Sequence, residues 1–159
     1  MSWNRAHRRH HLVHAVLAAV SDTGRPEVPM ELRAEVDAEF GSFDGFLREV
    51  QIRWYRTFDA RLDALIEAWP DNIHDALYEL WHETSRLMPA ARALLDEHVG
   101  HPALAVLHRH HRRQLYAATG VHLDPLLISR PPESRPREPR RPSPLRSCAL
   151  VSLVWPSTT

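Results

Sequence analysis

Residues 42–69 read SFDGFLREVQIRWYRTFDARLDALIEAW, and the spacing of their apolar side chains decides the fold class. Phe43, Phe46, Leu47, Val50, Trp54, Phe58, Leu62, Leu65 and Trp69 recur at steps of three or four, which at about 100° per residue places them along one broad stripe of a helix. Arg48, Glu49, Arg53, Arg56, Asp59, Asp63 and Glu67 fall mostly off it. Gly41 can leave a preceding helix in the left-handed conformation, and the Ser42 hydroxyl can accept from a free amide of the next. Pro70 lacks an amide hydrogen and disfavours helical geometry at Trp69, so the helix is expected to stop there. A rod of roughly 26 residues spans about 39 Å. Its apolar face needs several partners.

The rest of the chain supplies them. A first helix is expected over about Arg5 to Val20, with Leu12, Val13, Val16, Leu17 and Val20 on its apolar side. His7, His10, His11 and His14 gather largely opposite. Imidazoles one turn apart can converge on a metal ion, but no carboxylate lies within the cluster and Arg8 and Arg9 repel a cation, so a solvated polar face is the reading. Basic residues followed by Leu12 to Val20 loosely imitate a secretory leader. His14 interrupts that run and no small-x-small cleavage site follows, so a cytoplasmic protein is expected. Nothing approaches a membrane span of about 20 apolar residues.

A second helix is expected from Pro29 to about Phe40, with Met30 or Leu32, Val36 and Phe40 inward. Asp71 or Asn72 can cap a fourth from about Ile73 to Leu87, whose inner face is Ile73, Ala76, Leu77, Leu80, Trp81, Thr84 and Leu87. Opposite lie Asp75, Glu79 and His82, a set able in principle to hold a divalent ion or move a proton; its place opposite the core stripe favours simple solvation. Pro89 opens a short fifth helix through Val99, with Ala91, Leu94, Leu95 and His98 inward. Pro102 opens a sixth, which Gly120 ends after Thr119.

The sixth helix breaks the apolar rule. Leu104, Leu107, Leu115 and Ala118 define its inner stripe, and His108 and His111 fall on that stripe. A buried imidazole without a hydrogen bond costs about 1–3 kcal/mol, so both require partners. Thr84 and Arg61 are the candidates. The pair is read as a satisfied polar contact in the core, as part of a small-ligand or metal pocket between helices, or as part of an interface.

Composition limits the rest. All 20 basic residues are arginine and Ala, Pro and His are abundant, the signature of a GC-rich bacterial genome of the actinobacterial kind, so arginine enrichment says little about ligands. The lone Cys148 excludes an internal disulfide and a cysteine-based zinc site within one chain. Net charge is zero, yet residues 22–99 are acidic and both flanks basic, so the end helices are expected to dock partly through charge. Residues 129–147 are dominated by Ser, Arg and Pro without apolar periodicity, and a disordered tail over 124–159 is expected, one reading of which is a frame-shifted or unrelated extension of a domain at 1–123.

No P-loop, dinucleotide glycine fingerprint, nucleophile elbow or His-Glu-x-x-His motif occurs. No catalytic residue or cofactor site is therefore assigned, although a divalent metal is possible. The expectation is an all-α antiparallel bundle of five to six helices around one long helix. Three function classes follow: an interaction or accessory module acting on a protein partner or as a homodimer; a small-ligand or metal-binding bundle using His108 and His111; and a weak nucleic-acid binder through the His/Arg-rich helices, which lack any recognition-helix pattern.

Overall fold

The computed structural model describes residues 3–123, so the expectations for the 124–159 tail and for Cys148 lie outside the described residues. Within them the protein is all-helical. The elements are α1 (Trp3–Thr23), a 3-10 turn (Met30–Leu32), α2 (Arg33–Phe40), α3 (Phe43–Ala68), α4 (Ile73–Leu87), α5 (Pro89–Glu97) and α6 (Pro102–Thr119). Among the described residues no helix is long and apolar enough to cross a membrane.

The punctuation works as its chemistry dictates. Gly41 is left-handed at φ 80° and closes α2 by donating its amide to the Asp37 carbonyl. Ser42 accepts from the Gly45 amide at 3.2 Å. Asn72 caps α4 by accepting from the Asp75 amide at 3.1 Å. Pro102 opens α6, and left-handed Gly120 ends it by donating to the Tyr116 carbonyl.

The long helix is the organising rod. α3 packs against α2, α4, α5 and α6, while α1 lies on α2 and α5. Phe46, Leu47, Val50, Trp54 and Phe58 are almost wholly buried, and Leu77 of α4 and Leu94 of α5 close over them. The Trp54 and Trp81 rings approach to 4.2 Å between centroids, with Phe58 stacked on Trp54 at 5.7 Å. These aromatics bury large areas and so dominate the core energetically.

Direction along the rod is informative. After the turn at 69–72, α4 doubles back along α3 in antiparallel fashion, and α5 continues the same way after the break at Met88. Phe43 meets His98 whereas Trp54 meets Arg92, so partner number falls as position on α3 rises. The α6 helix does the opposite: Gln51 meets Leu104, Tyr55 meets His108 and Asp59 meets His111, separations of 53, 53 and 52 residues. α6 thus runs parallel to α3, in register over two turns.

Several inward expectations shift at element ends. Trp69 leaves the stripe because it is the left-handed C-cap residue, φ 36°, and it is 55% exposed. Leu87, the last residue of α4, is 58% exposed because the chain redirects at Met88–Pro89. Met30 is exposed and Leu32 takes the inward place, since the first turn is 3-10 rather than α. The fifth helix stops at Glu97, and Val99 lies in the turn that follows. At the α2–α3 corner a Cβ on Gly45 would lie 2.3 Å from the Phe40 carbonyl oxygen. Only glycine lets the two helices meet so closely.

Candidate functional site

The α3–α6 seam carries the buried polar chemistry. On α3, Gln51, Tyr55 and Asp59 form one row at i, i+4, i+8, and on α6 Leu104, His108 and His111 form the facing row. Gln51 Nε2 donates to the Leu104 carbonyl at 3.3 Å and to the Tyr55 hydroxyl oxygen at 3.3 Å. Tyr55 Oη and His108 Nδ1 are 2.9 Å apart. Asp59 Oδ1 accepts from His111 Nε2 at 2.8 Å. The His111 ring is stacked flat on Tyr55, centroids 3.9 Å apart and planes 9° apart, with the Phe58 ring standing edge-on at 5.6 Å.

Proton positions in this relay are forced. The Leu104 carbonyl can only accept, so the atom facing it is the Gln51 amide nitrogen. That nitrogen also donates to Tyr55, leaving the phenolic proton for His108 Nδ1. His108 is consequently the neutral tautomer protonated at Nε2, and Nε2 has no hydrogen-bond partner among the described residues. Burial pushes the His108 pKa down, and repulsion from Arg112, His111 and Arg92 adds to it. Burial pushes the Tyr55 phenol up to about 12, so it remains a donor at neutral pH.

Beside this relay, α3, α4, α5 and α6 border an open-mouthed cavity of about 370 Å³. Its apolar walls are Trp54, Tyr55, Trp81, Leu95, Leu104 and Val99. Its polar wall is Gln51, Arg92, His101, His108 and Arg109. The Arg92 guanidinium sits 5.1 Å from the Trp81 centroid and 5.6 Å from that of Trp54, within cation–π range of both. Asp96, one turn along α5, pairs with it through both carboxylate oxygens, one from Arg92 Nε at 2.8 Å. Burial lowers the Arg92 pKa.

Two buried polar atoms of residues that border the cavity have no partner among the described residues. They are Gln51 Oε1, an acceptor, and Trp54 Nε1, a donor, on side chains 4% and 1% exposed. Leaving such atoms unpaired costs about 1–3 kcal/mol each.

The partners expected for the histidines differ from those found. Thr84 is fully buried on its own helix and donates to the Leu80 carbonyl, while Arg61 pairs at the surface with Glu83 at 3.3 Å. Tyr55 and Asp59 take their place because α6 runs parallel to α3 and matches its i, i+4 row. Gln51 and Arg92 were not legible as site residues. For Gln51 the signal was its i±4 relation to Leu47 and Tyr55; for Arg92 it was a place one turn from Met88 and Asp96 on the Leu95 side of α5.

The other candidates are not assembled into a centre. Asp75 is engaged by Asn72 Nδ2 at 2.8 Å, Glu79 by Arg86 at 2.7 Å, and His82 joins neither. On α1, His7 and His11 face each other at 3.0 Å between Nε2 atoms, and His10 lies 3.3 Å from Arg53. His108 Nδ1 and His111 Nε2 are committed to different oxygens, so the two rings do not present a joint pair of free nitrogens. Among the described residues no three His, Cys, Asp or Glu side chains are grouped to hold a metal ion.

Comparison with protein-family models, curated proteins and solved structures finds no match to this chain.

Proposed function

We propose that the protein is a small-molecule-binding helical bundle whose ligand enters the cavity between α3, α4, α5 and α6. One observation carries this reading: a cavity of about 370 Å³ walled by the Trp54, Tyr55 and Trp81 rings, with the half-buried His108 imidazole in its lining. Small-ligand sites are commonly clefts of roughly 300–1,000 Å³, mostly apolar with a few convergent polar groups. This cavity falls at the small end. On that wall His108 offers an Nε2–H, held in its tautomer by the Gln51–Tyr55 relay.

An interaction module or homodimer has weaker support. The large exposed apolar residues sit mostly at separate element ends, with Trp3 opening α1, Trp69 capping α3 and Leu87 ending α4. Monomeric proteins expose such residues singly as a matter of course. For nucleic-acid binding through α6, one face of the Tyr116 ring is taken by His122, stacked at 4.1 Å.

The test is a ligand-observed NMR screen of small aromatic and aliphatic fragments against the wild type and Ala105→Trp. Ala105 is an exposed residue on the cavity wall, so an indole there blocks the opening without touching the core. Fragments that bind the wild type and are lost in a folded Ala105→Trp variant support the reading. No binder, or binders indifferent to Ala105→Trp, overturns it.

A further inference from the structure

Counting charge around the cavity narrows the ligand class, an inference that rests on the ligand-binding reading above. Four basic side chains line the wall: Arg92, His101, His108 and Arg109. Arg92 is neutralised by its two-pronged pairing with Asp96. His101 Nδ1 accepts from the Ala103 amide at 3.3 Å, which requires a free lone pair and hence a neutral ring, and its Nε2 side lies 3.8 Å from Asp44. His108 is neutral because its Nδ1 accepts the Tyr55 proton. Arg109 remains. It is exposed, forms no ion pair with a described residue, and lies on a helix, 102–119, that contains no acidic residue at all.

No carboxylate lines the cavity, so its wall carries one uncompensated positive charge. One charge matches a monoanion, and the further charge and oxygens of a phosphate need donors beyond it, such as the free amides of a helix N-terminus. Here Gly100 and His101 bring the start of α6 to the cavity, but Pro102 has no amide hydrogen, the Ala103 amide is taken by His101 Nδ1, and the Leu104 amide donates to the His101 carbonyl at 3.0 Å. Among the side-chain donors on the wall, His108 Nε2–H and the Arg109 guanidinium stand at adjacent positions on α6, and Arg109 carries the uncompensated charge. We infer that the ligand is a small, planar apolar monocarboxylate, its ring among Trp54, Trp81 and Leu104 and its carboxylate bound by His108 Nε2–H and Arg109.

Titration calorimetry with naphthoate, its neutral isostere naphthamide and the cation naphthylmethylammonium tests this on the full chain. Wild type is expected to bind naphthoate at least about tenfold more tightly than naphthamide, the scale of a hydrogen bond to a charged group. Arg109→Gln should shrink that preference to less than about threefold, whereas Arg113→Gln, exposed one turn on and absent from the cavity wall, should keep it. Equal binding of naphthoate and naphthamide, both lost in Ala105→Trp, would overturn the carboxylate and leave the cavity reading standing. Tighter binding of the cation, a preference that survives Arg109→Gln, or one lost equally in Arg113→Gln would each overturn the assignment. Binding of none of the three in the wild type overturns the carboxylate inference outright, and the fragment screen then decides separately whether the cavity takes any ligand.

Discussion

Tyr55 and His111 lie face to face, centroids 3.9 Å apart and planes within 9°, and this stack welds the middle of α3 to the middle of α6. The imidazole does two jobs there, since its edge also donates to Asp59 at 2.8 Å. The ring is 7% exposed, whereas the Asp59 side chain is half in solvent. Packing and hydrogen bonding can therefore be separated by substitution. His111→Phe keeps an aromatic face on Tyr55 and leaves a carboxylate that water can solvate, so it should cost no more than about 1 kcal/mol. His111→Ala opens a hole beneath Tyr55 and Phe58 and should cost about 3 kcal/mol. Urea denaturation of both variants measures the difference. Equal losses would mean that the Asp59 bond, not the stack, holds the seam.

Tyr55→Phe removes one oxygen from the relay. Gln51 then loses one of its two acceptors, and His108 Nδ1 loses its donor. The expected cost is about 1–3 kcal/mol with the helix content unchanged, because the ring and its stack remain. A circular-dichroism melt alongside urea titration reads both quantities. A neutral substitution would show that the relay is not closed in solution.

The His108 ring predicts a direction with pH. Its pKa is lowered on folding from an unfolded value of 6.5, because burial and neighbouring cations disfavour the imidazolium. Between those two values the unfolded chain binds more protons than the folded one, so stability rises with pH across that window. The contribution is fully present above about 6.5 and is lost progressively as pH falls below it towards the folded pKa. His108→Asn supplies an amide oxygen where Nδ1 accepts, and does not titrate. Comparing the two proteins by urea denaturation from pH 8 downward, at about one-unit steps, should show the wild type losing more stability than the variant below about 6.5. Parallel curves would remove His108 from the acid response.

Gly45→Ala probes the tightest backbone approach in the fold. The new methyl would lie 2.3 Å from the Phe40 carbonyl oxygen, an atom that cannot rotate away. Shifting α2 off α3 should cost roughly 1–3 kcal/mol and lower the melting temperature accordingly. A variant as stable as wild type would show that the α2–α3 corner relaxes freely.

How far the molecule could be read from its residues differs from feature to feature. The helix ends at Ser42, Asn72, Pro102 and Gly120 were legible because caps and breakers act locally, through bonds closed within a few residues. The core of α3 was legible because burial follows the helical period. Trp69 and Leu87 were misread for the same reason: periodicity carries no information about where the chain turns out of its own stripe. That His108 and His111 are inward was also visible, as two polar residues on an apolar face.

What those histidines touch was not visible, and neither was the cavity. Thr84 and Arg61 were as plausible as partners as Tyr55 and Asp59 until α6 was seen to run parallel to α3. The sequence by itself determined an all-helical chain, its caps, its central rod and the two inward histidines, because each depends on interactions within about a turn or on a repeating period. Only the tertiary structure decided which rows of α3 and α6 face each other, that Arg92 lies over two tryptophans, and that Gln51 and Trp54, which border the cavity, each bury an unpaired polar atom. Those outcomes depend on the relative placement of residues up to 53 apart in sequence, which packing of whole helices sets and no local pattern encodes.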